Sequence, residues 1–423
     1  MKKIIMIFAI FFLVSACSSQ NTDKAADRPY ELLPELNLEW LYPVNIVPDM
    51  SEITSGYIDK NGAWAFPDLH HFTDEANYNY RGSITSELLK ASTKNDDAPY
   101  KTGFINRKGE WEIAPQYDAA YDFHDGMAYV YNGNYWNNAR REDYYIDSHG
   151  NRIIDCTQFQ QISPGFSEGL AWAIAKNSGE NALGYINKLG EWVIAPSLAN
   201  SIVDDLYNSP IQSDCNFHDG LALAKLDNKY GYIDRNGAWV IAPEYDNALA
   251  FSEGLGAVCK DDKWGFVNKE KQIQIALQYD YVYWFSEGLA GAFNGLRWGF
   301  IDTIGQWVIE PQFMPLGFES PEYIRFNRIH LTKPCVFYNG LAIVRESEKD
   351  LAEMEADNKV GKDYLFGYIN KGGQWVILPR FSVAYPFNGE LASVGQDVDI
   401  HNRGGTKGYI DQQANWIKQW DGW

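Results

Sequence analysis

Seven histidines, five cysteines and a surplus of carboxylates are the groups in this chain that could ligate a metal, attack an electrophile or relay a proton. Metal binding and nucleophilic catalysis both need such groups at spacings that one element can present together. The histidines are His70, His71, His124, His149, His218, His330 and His401, and no H-E-x-x-H or other zinc spacing occurs among them. His70 and His71 are adjacent, so on a strand they would face opposite sides. Cys156, Cys215, Cys259 and Cys335 are widely separated with no C-x-x-C, which gives zinc no cluster. The recurring D-x-x-G tetrads lack the dense alternating acids of a calcium loop. There is no G-x-S-x-G, no P-loop, and no G-x-G-x-x-G after a strand. The expectation is therefore no catalytic residue, no metal, no cofactor and no enzyme activity.

Charge narrows the partners. With 36 Lys+Arg against 56 Asp+Glu, the formal charge is −20. Such a surface repels phosphate backbones and offers no counterion-release gain, so nucleic acid is excluded as a partner. A hydrophobic content of 45% supports a folded chain, and an aromatic content of 15% suits pleated sheets.

One cysteine has a chemistry of its own. Lys2 and Lys3 precede an apolar run from Ile4 to Val14, followed by Ser15-Ala16-Cys17. Eleven apolar residues are too few for a stable membrane span. The segment resembles a bacterial lipoprotein signal, with Val14-Ser15-Ala16-Cys17 as its lipobox. That resemblance implies removal of residues 1–16, lipidation of the Cys17 thiol and membrane contact through this N-terminal lipid only. Ser18 in place of an aspartate favours the outer membrane under the same sorting rule. Residues 17–36 are polar and aperiodic, the composition of a tether.

From residue 37 to 423 the chain repeats. The unit is plainest between Phe251 and Pro311, where FSEGLGAVCKDDKWGFVNKEKQIQIAL is followed by FSEGLAGAFNGLRWGFIDTIGQWVIEP at a period of 34 residues. Nine copies of its second half occur, at 55–68, 102–115, 143–156, 183–196, 230–243, 264–277, 298–311, 366–379 and 407–420. In Asp302-Thr303-Ile304-Gly305 the acid and glycine occupy the first and fourth positions of a type I turn with an adjoining bulge. Gly299-Phe300-Ile301 and Gln306-Trp307-Val308-Ile309 then pair as strands, and Pro311 ends the second because it has no N–H to donate. Seven copies of a second motif, such as FSEGLA at 285 and FHDGLA at 217, turn the chain into a further strand. His124 and His218 fill the Ser slot of that motif and read as structural.

The pattern [WYFL]-G-[YF]-I-[DN]-x-x-G-x-W-V-I-x-P, preceded by F-[SH]-[ED]-G-L-A, resembles the WG-repeat family of bacterial proteins. The resemblance implies a β-rich repeat array, often exported, with a binding or scaffolding role and no shared reaction. The expected fold is all-β, made of tandem antiparallel hairpin repeats of three to four short strands in an open, curved array. A closed β-propeller-like ring is the alternative, since nine units exceed the usual four to eight blades. Departures at Lys271, Ile273, Tyr144, Arg152 and Ala414 mark the units where hairpin geometry should suffer. Trp64, Trp111, Trp192, Trp239, Trp307, Trp375 and Trp416 recur at one position, and Trp264 and Trp298 at another, so they are expected in the core. The four later cysteines are expected as buried free thiols, with disulfides as the alternative.

Insertions fall at 69–101, 197–216, 312–336 and 344–365. Long loops in a compact fold tend to carry function. Two candidate partner-binding groups follow: Tyr135 and Trp136 in an amide-rich insertion, and Arg345, Glu346, Glu353 and Asp357 in an acidic one. The expected function is an envelope-anchored interaction or scaffolding module for an unidentified envelope protein. The alternative is a binder of cell-wall glycan or peptidoglycan through exposed aromatic rings.

Overall fold

The computed structural model describes residues 41–46, 54–63, 65, 88–95, 98–133, 142–176, 182–199, 215–314, 335–346, 365–398 and 404–421. All lie in one compact unit, Leu38–Trp423. Cys17, the signal segment and the tether lie outside the described residues.

The unit is a series of nine antiparallel sheets, spanning 42–58, 89–117, 119–155, 159–199, 217–245, 247–279, 281–313, 337–381 and 383–421. We number them sheets 1 to 9. Strand order within each sheet follows the sequence, as repeated hairpins require. Sheet 6 shows the full plan: strand a is Asn247–Ser252, strand b Leu255–Lys260, strand c Lys263–Asn268 and strand d Ile273–Tyr279. Sheets 3 to 9 have four strands, while sheets 1 and 2 show no strand a among the described residues. The all-β class and the units of three to four strands are as the sequence implies. A 3-10 turn, Cys156–Gln158, is the one described departure from strand and turn.

Each strand's composition follows its surroundings. Leu255-Gly256-Ala257-Val258-Cys259 in strand b is buried throughout, because neighbouring sheets cover both faces. Small residues let those sheets approach. Strand d alternates, as in Trp307–Phe313 of sheet 7, because its position at the sheet edge leaves one side in water.

The c–d hairpin is the type I turn with bulge that the sequence implies. Asp302 Oδ1 accepts from Ile304 N at 3.0 Å and Gln306 N at 2.9 Å, and Gly305 has φ +81. The pairing shifts register beside it, between Phe300 and Ile301. The departures do not disturb this geometry, contrary to expectation. Lys271 and Ala414 take the glycine conformation at φ 68 and 64, with the turn hydrogen bonds kept. In sheet 3 the turn glycine, Gly150, is present, and Arg152 lies over the Tyr144 ring at 4.5 Å. That cation–π contact stands where other sheets place tryptophan against glycine.

The strand c glycine has its own cause. A Cβ on Gly299 would lie 2.5 Å from Ile309 O and 2.8 Å from the Trp307 ring. Trp307 and its described equivalents are consequently partly exposed seam residues, a correction to the expected core position, while Trp64 lies outside the described residues. The ring covers glycine in its own sheet and meets the preceding sheet with an edge, as in Tyr279–Trp307 at 5.6 Å. Trp192 remains 38% exposed, because strand d is an edge strand. Trp264 and Trp298 are core residues as expected.

Three relationships join each sheet to the next. The strand c aromatic meets the strand a phenylalanine of the following sheet edge-on, as in Tyr232–Phe251 at 4.6 Å and Phe300–Phe337 at 4.9 Å. Each such pair is worth about 0.5–1.5 kcal/mol beyond area burial. Where strand c carries tyrosine, its hydroxyl donates to the next sheet's backbone, as Tyr185 does to Cys215 O at 2.6 Å. The hairpin glycine packs on the preceding sheet's strand d isoleucine, as Gly305 does on Ile275.

Contacts of a different make link sheet 1 to sheet 9. Gly62 packs on Ile417, Tyr42 on Tyr409 at 5.5 Å, and Lys60 pairs with Glu390 at 3.2 Å. No sheet closes into a barrel, and each keeps its own edges. The two ends of the array nevertheless meet, as in the ring-shaped alternative, so a count of nine does not keep them apart.

Candidate functional site: the connection-bearing end

Antiparallel order fixes which connections share an end of the sheets. The a–b turns and c–d hairpins lie at one end; the b–c connections and the links between sheets lie at the other.

The first end is tight. In sheets 3 to 8 its a–b turns are two-residue loops with both central residues at positive φ, as in Glu253 (53°) and Gly254 (80°). That is the type I′ signature, in which glutamate is strained and glycine is not. The acid is held there by its neighbour. Asp219 accepts from Gly254 N at 2.7 Å, Glu253 from Gly288 N at 2.8 Å, and Glu287 from Gly340 N at 3.0 Å. Each turn thus fastens the next, and Ser252 and Ser286 add bonds to the following phenylalanine carbonyls. Lys371 of sheet 8 reaches back to Glu287 at 3.1 Å, as Lys60 does to Glu390. The histidines of this motif belong to the same turns: His124 makes the two turn bonds to Met127.

The second end carries the long connections of sheets 3 to 9. From strand b to strand c these run from Asn132 to Glu142, Ala175 to Ala182, Glu346 to Leu365 and Gln396 to Thr406. Between sheets they run from Ala199 to Phe217 and Phe313 to Phe337, whereas the stretch from Ile58 to Leu89 leaves a strand c and enters a strand b, both at the first end. The connections at 132–142 and 346–365 hold the two predicted partner-binding groups. Tyr135, Trp136, Glu353 and Asp357 lie outside the described residues, as do His70 and His71.

The bases of both connections are ordered. Asp118 Oδ2 accepts from Gly133 N at 2.7 Å, at the start of the Trp136 connection, and Lys101 pairs with the same carboxylate at 2.6 Å. Partial burial opposes ionisation, but the Gly133 N–H and Lys101 hold the Asp118 carboxyl below its usual range. In sheet 8, Met314 N donates to Arg345 O at 3.0 Å. That bond sets the last described residue before one long connection beside the strand that leads into the other.

Arg345 is therefore a base residue. Its strand runs Leu341–Glu346, so the insertion begins one residue later than Glu346 and ends before Leu365, narrower than 344–365. Arg345 opposes Phe366 and is 9% exposed, too withdrawn to present its guanidinium to a partner. Glu346 is half-buried at the strand's end. The expected insertion at 69–101 contains strand b of sheet 2, Leu89–Asn95, which no F-x-x-G-L-A motif announces.

Sheets 5 to 7 have short connections at this end. There Lys229 pairs with Asp246, and Lys263 with Asp280 at 2.6 Å. The Lys229 hydrogen bond and the Asp261 N–H lower the Asp246 carboxyl. These exposed pairs contribute little to stability. Cys156, Cys215, Cys259 and Cys335 are buried free thiols. Among the described residues no group of His, Cys, Asp and Glu is placed to hold a metal, and no helix is long and apolar enough to cross a membrane.

Six regions, 103–136, 184–197, 230–264, 264–295, 298–313 and 366–397, match the family described as WG containing repeat. The copies at 143–156 and 407–420 fall outside those regions and form strands of sheets 3 and 9, and of the copy at 55–68 the strand Thr54–Ile58 belongs to sheet 1. No curated protein matches the sequence. Among solved structures, a eukaryotic initiation factor is similar at 8% identity and TM-score 0.40, over 80% of this chain and 96% of that chain. An uncharacterized protein from Listeria monocytogenes EGD-e is similar at 10% identity and TM-score 0.35, over 79% and 90%. A europium-containing methanol dehydrogenase is similar at 10% identity and TM-score 0.35, over 72% and 79%.

Proposed function

We propose that this array of WG containing repeats is a non-enzymatic interaction or scaffolding module of the bacterial cell envelope, and that it grips an envelope protein through its connection-bearing end. The observation that carries this reading is the division of labour between the two ends. Type I′ turns and bulged hairpins, bonded from sheet to sheet, occupy one end. The long connections of sheets 3 to 9 leave the other, with the Met314–Arg345 bond setting two of them side by side. Insertions on one face of a repeat array are where binding specificity varies without disturbing the stack. The contact residues are Glu346, Glu353 and Asp357, with Tyr135 and Trp136 on a second connection.

The address is a lipid on Cys17 that holds the mature chain at the outer membrane. Replacing Cys17 with serine should move the protein from the membrane to the soluble fraction. Retention of the variant in the membrane fraction contradicts the anchor.

A second reading is favoured by Trp136 among asparagines, a composition suited to stacking on sugar faces. The mature chain incubated with purified cell wall and, separately, with envelope extract distinguishes the two. Capture from extract without wall binding supports the protein partner. Wall binding lost in Trp136→Ala supports the glycan.

A further inference from the structure

Sheet 1 is built unlike its neighbours in one respect that bears on how the ring closes. In sheet 6 the strand b residue opposite Val267 is Gly256, and a Cβ there would lie 2.5 Å from the Phe251 ring. The small residue leaves room for the strand a phenylalanine that seals the junction with the preceding sheet. Sheets 5 and 7 use Ala222 and Ala290 at the same register. In sheet 1 that position is Tyr42, opposite Ile58. No strand a is present there among the described residues, and the Tyr42 ring itself reaches Tyr409 of sheet 9. Its hydroxyl oxygen accepts from Glu390 N at 3.0 Å and Leu391 N at 3.2 Å, in the turn of sheet 9. One side chain does the work of a strand.

Among the described residues no strand crosses the junction either. Sheet 9 is made wholly of 383–421 and sheet 1 of 42–58, so backbone pairing does not tie the two ends of the chain together. Among the described residues the junction has its own small cluster of Tyr42, Val44, Ile58, Leu391 and Tyr409, and the far side of sheet 1 another. A single continuous cluster, by contrast, runs through sheets 6 to 8. Elements with few buried apolar contacts open at lower free energy than the core they adjoin.

We propose that the ring opens at the junction of sheets 9 and 1, with sheet 1 as a latch held chiefly by Tyr42. Opening frees sheet 1 and the turn at Asn388–Leu391 together, while sheets 5 to 8 stay folded.

Hydrogen exchange on the mature chain, read by mass spectrometry, tests this. Peptides covering 41–63 and 388–398 should exchange together, at least about tenfold faster than those covering 264–301. Tyr42→Ala should accelerate those two stretches further and leave 264–301 unchanged. Tyr42→Phe, which removes only the hydroxyl acceptor, should accelerate 388–398. The latch is overturned if 41–63 in the unaltered protein is as protected as 264–301, a result that needs no variant to fold. It is equally overturned if Tyr42→Ala raises exchange evenly along the chain.

Discussion

Gly62 in sheet 1 lies against Ile417 in sheet 9 so closely that a Cβ on the glycine would come within 2.4 Å of the isoleucine carbonyl oxygen. Gly305 meets the side chain of Ile275 instead, with 3.0 Å to the Cγ2 atom. A turn glycine thus packs against strand d of the adjoining sheet both between neighbours in the array and between its two ends. Each sheet's turn glycine must be small for its neighbour as well as permissive for its own φ.

Gly305→Val should accordingly cost more than the ~1 kcal/mol of an ordinary propensity change, since it adds backbone strain to a steric conflict. Lys271→Gly should do the reverse, because a non-glycine residue in the left-handed region costs roughly 1–2 kcal/mol. Melting temperatures check both. A fall for Gly305→Val with a rise for Lys271→Gly is expected, and an unchanged pair of values contradicts the role assigned to φ.

The hairpin at Asp302–Gly305 was legible in the sequence because turn chemistry is local: an acid to accept two N–H groups and a glycine for positive φ. The insertions were legible because they break a fixed period. Two matters were not. Tyr42 as a substitute for strand a depends on hydrogen bonds with residues 348 and 349 positions away, which no local pattern reveals. Arg345 looked like a loop residue because the F-Y-N-G-L-A motif gives no length for the strand that follows it. The tryptophans at 192 and 307 share a period with core residues, yet that period marks a seam between sheets, where half of each ring is covered.

Tyr232 donates to Leu249 O at 2.7 Å and Ala257 O at 3.0 Å from a buried site. Burial pushes its phenol well above the usual tyrosine range, so it remains a donor across accessible pH. Tyr232→Phe leaves two buried carbonyls without this donor and should destabilise the protein by about 1–3 kcal/mol. A denaturation midpoint indistinguishable from the parent's would show that the bond between sheets 5 and 6 contributes nothing.

The buried thiols set an alkaline limit. Burial first, then Asp246 and Asp262, push the Cys259 thiol up to about 11, and burial pushes Cys156 up as well. A folded-state pKa above the unfolded one means that the unfolded chain loses its proton first. The stabilising contribution is therefore complete below about 9 and is lost as pH rises toward 11. Denaturant midpoints measured from pH 8 to 11 should fall, with a shallower fall in Cys259→Ala. Identical slopes for the two proteins would contradict this assignment.

The central claim is that the connection-bearing end holds the partner, and one deletion tests it most directly. Removing Ser347–Val360 shortens a connection whose ends, Glu346 and Leu365, are already fixed by strand pairing across sheet 8. Loop shortening of this kind costs little in closure entropy. The deletion variant and the parent are compared for melting temperature and for capture from envelope extract. The account predicts an unchanged melting temperature with loss of the captured partner. Recovery of the same partner at the same affinity would place the binding surface on the sheets themselves.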